Sequence, residues 1–572
     1  MATPNIPVVD CSSREEIIRM VRENQPFLLA GWSFRPKRSA GREKESPQEV
    51  IEQLLGRFGS NLQVPVFYCC AESTYGVNAT IGPPTKPLGE ALSYLTEDHR
   101  GSAAITYLKD WHICRSPGDP AAGSSAPSFY DLPWGFDDDW LNGWADDPKG
   151  VRCNQIPDDY RFLYAGPRGS WTPMHHDVLS SFSWSVNLCG KKRWILFPPE
   201  DTPALTDNDG TLVSDVRPLL LAGSSGGSGA SRALAGAVSS RALVVDQEAG
   251  LALFVPSGWH HQVENLETTI SVNHNWFNGF NLNRIVDFML LENTNMRNML
   301  LDLRDDFIGE DNHDDDDSDQ ASGNSVEQPQ KCACLCAPSR PWERHIEKLL
   351  RANGGMPLSE LFALLESKVA CYYELFSEIK LQDDNSTGAG AEAAEIVGTS
   401  TASAERQSEC EDSPALPGQL NNHPCIAWGA SEDYYLWVDR TQAGLWGEGG
   451  SSAVRDGSDE DLGGQAAAAA AASSPGCSQE KALDMRVAAH ALLEITRALA
   501  KLSERPHINH LFVPWGRRRD RPPPTALEPS LVCCPSCSQD SDGSKKNFSA
   551  LHQASARALH LARGLMQHLQ RA

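Results

Sequence analysis

The stretch "WTPMHHDVLSSFSWSVNLCGKKRW", residues 171–194, sets two adjacent histidines before an aspartate and closes on a lysine pair. Within it Phe182, Trp184, Val186 and Leu188 alternate with Ser183, Ser185, Asn187 and Cys189, the two-residue period of a strand with one apolar and one polar face. Gly190 and Lys191 supply a turn, and "RWILF" returns as a second strand, so the spacing predicts a hairpin. Carried back to "HHD", the same period puts His175 and Asp177 on one face and turns His176 to the other.

A His-X-Asp on a strand offers two legs of the facial triad that holds non-haem Fe(II), with a third ligand due from elsewhere in the fold. By itself the tripeptide is weak, since a histidine beside an aspartate is more often an ordinary hydrogen-bonded pair. The third ligand is sought in "FVPSGWHHQVENLETTISVNHNW", residues 254–276, which offers His260, His261 and His274. Periodicity does not choose between them.

Around this region, residues 1–300 are rich in aromatic and β-branched residues in short runs punctuated by Gly, Pro and Asp, as a β-rich domain reads. "SREEIIRMVREN" reads as an early helix and "QPFLLAGW" as a buried strand after it; "LAGSSGGSGASRALAGAVSS", 221–240, reads as an inserted surface loop. Residues 301–340 carry the run "GEDNHDDDDSDQ", a self-repelling acidic linker. Helical periodicity then covers 341–382, broken at Gly354 and Gly355 into a helix pair. Residues 383–479 are biased to Ser, Gly and Ala and read as disordered but for a short patch at 425–447. A helix is expected at 480–512, where Met485, Ala488, Leu492, Ile495, Leu499 and Leu502 recur at helical spacing, then an Arg/Pro- and Cys-rich loop at 513–546 and a last helix at 547–572.

The formal net charge of -25 excludes a general affinity for nucleic-acid phosphates. No run of about 18 apolar residues could span a bilayer, and the opening residues show no basic and apolar signal segment. The 16 cysteines lack framework spacing and read as reduced thiols, so the cytosol is expected, with the nucleus as alternative. "CACLC" at 332–336 and "CCPSC" at 533–537 space poorly for zinc, and "GRRRDRPPP" at 516–524 reads as a solvated loop before it reads as an import signal. Oligomeric state is left open.

Four segments together resemble a known family: "LKDWHICR" (108–115), "DDYRFLYAGPRGSWTPMHHD" (158–177), "SFSWSVNLCGKKRWILFPP" (181–199) and "FVPSGWHHQVENLETTISVNHNWFNGFNL" (254–282). The chain is similar to the JmjC-domain oxygenases, most narrowly to the JmjC-domain-containing protein 4 group of iron- and 2-oxoglutarate-dependent hydroxylases, over most of residues 5–290. The resemblance implies an α+β fold, a double-stranded β-helix (cupin, jelly-roll) core with N-terminal helices and a C-terminal helical extension. It implies Fe(II) held by His175, Asp177 and His261, with His260 where relatives often place an aromatic and His274 packed as a strand residue. For the cosubstrate 2-oxoglutarate it implies Lys192 as the cation facing the far carboxylate, with Thr172 and Asn273 hydrogen-bonding the same group. An unpaired carboxylate in a narrow barrel would be costly, which is the physical need for that lysine. Lys191 and Arg193 point away by parity. Thr172 is off the parity of His175, so its place in the pocket requires a local irregularity near Pro173. Tyr164 reads as a core aromatic first and a pocket wall second.

The reaction implied is consumption of dioxygen and 2-oxoglutarate with hydroxylation of a C–H bond. The substrate implied is protein lysine, in the nearest group the Asn-Ile-Lys-Ser loop of the translation termination release factor. Aspartate rather than glutamate in the triad leans away from histone lysine demethylation. The rival readings are that demethylase and a non-catalytic cupin-fold binding module; a scaffold alone needs neither three ligands nor a counter-cation.

Overall fold

A computed structural model describes residues 6–32, 45–69, 74–75, 83–97, 99, 104–116, 130, 132–147, 159–206, 211–222, 240–304, 340–386, 442, 445–446, 479–503 and 558. It divides into two compact units, Met1–Phe288 and Met289–Ala572. Most of the 221–240 insertion, the acidic run, both cysteine clusters, the basic run, nearly all of the 425–447 patch and the last helix lie outside the described residues.

The first unit is built on two sheets. The larger has ten strands. Along its path run β1 (Val8–Asp10), β2 (Phe27–Ala30), β12 (Ala252–Val255), β9 (Phe182–Cys189), β14 (Thr269–Trp276), β7 (Arg161–Gly166), β6 (Ile105–His112), β3 (Gln63–Cys69) and β4 (Thr74–Tyr75), with β5 (Thr85–Pro87) on β3. The smaller has the order β11 (Leu243–Gln247), β10 (Lys192–Phe197), β13 (His260–Asn265), β8 (Trp171–His175). All pairings are antiparallel except β1 with β2. This is a jelly-roll-like, mixed α+β architecture, as the fold class read from the sequence requires.

Helices cover the outer face of the larger sheet. α1 (Arg14–Arg22) buries Ile17, Ile18, Met20 and Val21. α2 (Pro47–Phe58) starts at a capping box in which Ser46 and Glu49 satisfy each other's backbone N–H, and it buries Val50, Ile51, Leu54 and Phe58. Two short helices, α3 (Leu88–Ser93) and α4 (Trp140–Asp146), complete the cover, the second capped by the Asp139 carboxylate on Asn142 N–H. Beneath them Phe27, Phe254, Phe182 and Trp276 pack in that order with ring centroids 5.0–5.2 Å apart between successive members. Such pairs add about 0.5–1.5 kcal/mol each beyond the area they bury, which fixes the sheet against its helices.

The expected hairpin at 182–197 does not form. β9 pairs with β12 and β14 in the larger sheet, while β10 pairs with β11 and β13 in the smaller. Both edges of β9 are taken and all eight of its residues are buried, so the polar face that looked solvent-facing lines the space between the sheets. Gly190 (φ 80°) turns the chain from one sheet to the other, and the Lys191 carbonyl holds the corner by accepting Leu266 N–H at 2.8 Å. A Cβ at Gly190 would overlap the Thr268 carbonyl oxygen, so the turn requires glycine on two counts.

In the first unit a further helix, α5 (Arg217–Ala222), follows β10. α6 (Leu282–Met299) runs out of β14. The second unit holds three long helices, α7 (Arg340–Gly354), α8 (Leu358–Ser386) and α9 (Gln479–Ser503). α7 stops at Gly355 (φ 84°), whose N–H closes on the Arg351 carbonyl. Trp342, Ile346 and Leu350 of α7, Leu361, Phe362 and Leu365 of α8, and Leu492, Ile495 and Leu499 of α9 are buried. No helix among the described residues is long and apolar enough to cross a membrane.

Candidate metal centre

β8 and β13 lie side by side in the smaller sheet and bring His175 and His261 directly opposite each other. Their ring centroids are 4.3 Å apart. Asp177 follows β8 at the entrance to a tight turn, Val178–Ser180, whose Leu179 and Ser180 have φ of 57° and 55°. One potential ligand atom from each of His175, Asp177 and His261 lies within 4.8 Å of the others. Among the described residues this is the one His/Cys/Asp/Glu group that could hold a metal ion.

Backbone carbonyls orient both imidazoles. His175 Nδ1 lies 2.8 Å from the Pro173 carbonyl and His261 Nδ1 lies 3.1 Å from that of Trp259. With the proton on Nδ1 in each ring, Nε2 is left as the lone-pair donor, the arrangement in which outer partners fix a ligand's tautomer. Asp177 accepts the Ser183 hydroxyl at 2.6 Å. Burial opposes its charge, but His261 and His175 nearby, with hydrogen bonds from Ser183 and Asn275, hold its carboxyl below the usual range. Burial, reinforced by His261, pushes His175 down to about 3, so its imidazole is neutral at neutral pH. Two imidazole nitrogens and one carboxylate suit a divalent metal with open positions.

His176 turns away, as parity requires, and meets the rings of His260 (5.2 Å) and Phe288 (5.5 Å). His260 is occupied by Thr202, 3.1 Å from its Nδ1. His274 is buried in a separate polar knot, with the Tyr130 hydroxyl at 2.7 Å and an Asp139 carboxylate oxygen at 2.6 Å. Neither joins the triad.

Lys192 enters from the first position of β10 and is 1% exposed. Its Nζ donates to Ser271 Oγ at 2.6 Å and lies 5.7 Å from the ring centroids of both Tyr164 and Trp194. No carboxylate pairs with it among the described residues, and burial alone brings its ammonium down to about 7. A buried cation with no counter-charge fits a site built to receive an anion. Ser271 in turn donates to Asn273 Oδ1 at 3.2 Å, which also accepts Ser185 Oγ at 2.9 Å. Thr172 is buried, and its side chain, with that of Asn265, hydrogen-bonds the Tyr107 hydroxyl. The β8–β13 register slips by one residue between His175 and Thr172, the irregularity near Pro173 that places both in the interior.

Sequence reasoning missed Ser183, Ser271 and Tyr107, and it read Tyr164 as a core aromatic first and a pocket wall second. The signal for the serines was present in the polar members of β9 and β14, Ser183, Ser185, Ser271 and Asn273, which alternate with the core side chains. Tyr164 is partly buried but not inert: its hydroxyl donates to Asp110 at 2.7 Å, and desolvation raises it far above the ordinary phenol range.

Residues 136–282 match the family model described as Cupin-like domain. This segment is thus similar to the cupin-like domains. It contains all three triad residues and Lys192, so the match and the geometry fall on the same strands. Over 199 residues the chain is 45% identical to human "2-oxoglutarate and iron-dependent oxygenase JMJD4", covering 35% of this chain and 43% of that protein. The mouse protein of the same name is 37% identical over 297 residues, 50% of this chain and 59% of its own. "Arginine-specific demethylase JMJ20" of Arabidopsis thaliana is 38% identical over 211 residues, 35% of this chain and 42% of that protein. The chain thus spans about half the length of the curated relatives it matches.

Proposed function

We propose that the chain is an Fe(II)- and 2-oxoglutarate-dependent oxygenase that hydroxylates a lysine side chain of a protein, with the Asn-Ile-Lys-Ser loop of the translation termination release factor as its substrate. The observation that carries the oxygenase reading is the pairing of the His175, Asp177, His261 cluster with a buried lysine that no described carboxylate neutralises. The names of the relatives, which state iron and 2-oxoglutarate, support the same cofactors here.

His175 Nε2, His261 Nε2 and an Asp177 oxygen would hold ferrous ion, leaving open positions for the keto-acid end of the cosubstrate and for dioxygen. Bound there, iron and 2-oxoglutarate supply the oxidising chemistry, in which the keto acid leaves as succinate and carbon dioxide and one oxygen atom enters a substrate C–H bond. Lys192 would meet the far carboxylate, with Ser271, Asn273 and Thr172 as its hydrogen-bonding surround. Ser183 fixes the Asp177 carboxylate, and the two carbonyls of Pro173 and Trp259 fix the imidazoles. Trp194 and Tyr164, whose ring centroids lie 5.7 Å from Lys192 Nζ, would help exclude water from it, which keeps the lysine's field strong.

The test is incubation of the full chain with Fe(II), 2-oxoglutarate and a release-factor loop peptide, read by mass. One added oxygen on lysine, absent with Asp177→Ala, is expected. Formaldehyde from a methylated lysine or arginine peptide, with no oxygen added to the unmodified one, would establish the demethylase reading instead; the name of the Arabidopsis relative makes the arginine peptide the sharper control.

A further inference from the structure

β6 and β7 run antiparallel, with Leu108 opposite Ala165 and Trp111 opposite Leu163. Three steps on β6 thus match two on β7, and the extra residue falls at Lys109 and Asp110, opposite Tyr164. Asp110 has φ of 59°, a backbone state that aspartate tolerates better than most side chains. Bulges of this kind re-aim a side chain beside a site. Here the result is a carboxylate that accepts the Tyr164 hydroxyl at 2.7 Å while its side chain stays 38% exposed. Tyr164 reaches from Asp110 on one side to Lys192 on the other, and it feels the negative charge of Asp177 as well. The neighbouring Lys109 likewise acts electrostatically on His175. The bulge therefore stands at the wet edge of the proposed metal centre.

Among the described residues the charge on Asp110 is met by one loose ion pair, with Lys109. Its partner Tyr164 is neutral, and the Lys109 ammonium, 5.3 Å from the Phe67 ring centroid, is 3.9 Å from the second carboxylate oxygen, outside hydrogen-bond range. A carboxylate accepts at about four lone-pair sites, so capacity for a second, cationic donor remains. Resting on the oxygenase reading above, we propose that Asp110 is the specificity-determining residue that receives the cationic side chain of the protein substrate at the mouth of the pocket. The chemistry it selects is an ammonium or guanidinium on a flexible stem, which brings the stem's methylene groups towards the metal centre.

The alternative is that Asp110 only anchors Tyr164. Asp110→Asn separates the two, because asparagine tolerates the same backbone state and can still accept the tyrosine hydroxyl through its amide oxygen. The full chain, loaded with Mn(II) and N-oxalylglycine, is titrated against fluorescein-labelled peptide pools with Lys, Arg, norleucine or Glu at a fixed centre and randomised flanks, read by anisotropy. The wild-type chain is expected to bind the Lys or Arg pool about 10- to 100-fold more tightly than the norleucine pool, the size of one hydrogen bond to a charged group. Asp110→Asn is expected to remove that preference, Asp110→Glu to retain at least part of it, and Asp110→Lys to shift preference to the Glu pool. A wild-type chain that does not favour the cationic pools, including one that binds none of them, overturns the proposal, and so does a preference that survives Asp110→Asn. Binding is read without turnover, so charge selection with no succinate formed from 2-oxoglutarate would sink the oxygenase reading alone, while succinate formation without charge selection would sink the role of Asp110 alone.

Discussion

At the scale of single residues the site depends on groups that hold other groups still. Ser183 is the clearest, since its hydroxyl is the one short side-chain donor drawn to Asp177. Removing such a partner commonly weakens a metal site about 10- to 100-fold. Ser183→Ala is therefore expected to weaken Mn(II) binding by that factor in a calorimetric titration, and unchanged affinity would show that Asn275 alone suffices. Lys192 carries a pH signature. In the empty site its ammonium titrates at about 7, whereas an unfolded lysine holds its proton to about 10.4. Between those values the unfolded chain binds more protons, so the stability of the empty fold gains with rising pH and is lowest below 7. Ligand affinity runs the other way. A dicarboxylate needs the charged lysine and must recruit a proton above pH 7, so N-oxalylglycine affinity is expected to fall by up to about tenfold per pH unit there. A flat profile between pH 7 and 9 would mean that the lysine is already charged. His175 and Asp177 were legible in the sequence because strand parity and the family pattern agree on them, whereas His261 and Lys192 rested on the family resemblance. Tyr164 was legible as a pocket wall only in second place, because an aromatic between apolar neighbours reads as core until the Asp110 carboxylate appears opposite it.

At the scale of elements, the strand-length period located β9, β10 and the His-X-Asp strand β8 but not their partners. The alternation in residues 182–189 is the same whether the polar face meets water or a polar cavity, and a Gly-Lys turn looks the same at a hairpin as at a corner between sheets. What decides is occupancy of both edges of β9 by strands more than 60 residues away in sequence, which no local pattern encodes. The bulge in β8 was legible only indirectly, as a conflict between the parity of Thr172 and that of His175. The corner itself is testable. Gly190→Ala combines a disfavoured backbone state with overlap on the Thr268 carbonyl and is expected to cost about 2–4 kcal/mol in urea unfolding of the β-rich unit. A loss below about 0.5 kcal/mol, the size of an ordinary surface change, would mean that the corner can be remade without glycine.

At the scale of the molecule, every described group of the site belongs to the first of the two compact units, and the long helices of the second have a core of their own. Mn(II) with N-oxalylglycine at about 100 times Kd is expected to stabilise the β-rich unit by about 2.7 kcal/mol, seen as a rise in its calorimetric transition, and Lys192→Met is expected to remove most of the part due to N-oxalylglycine. The boundary between the units falls after Phe288, inside α6 and ahead of the acidic run read as a linker, while the helices beyond that run were legible by their period alone. The central claim is that His175, Asp177 and His261 hold one ferrous ion on which 2-oxoglutarate chelates. Its most direct test is an anaerobic titration of the full chain with Fe(II) and 2-oxoglutarate, following the visible charge-transfer band that such a chelate gives. One equivalent of iron per chain is expected to develop the band in the wild-type protein and none in His261→Ala; no band in the wild-type chain, or an undiminished one in the variant, would contradict it.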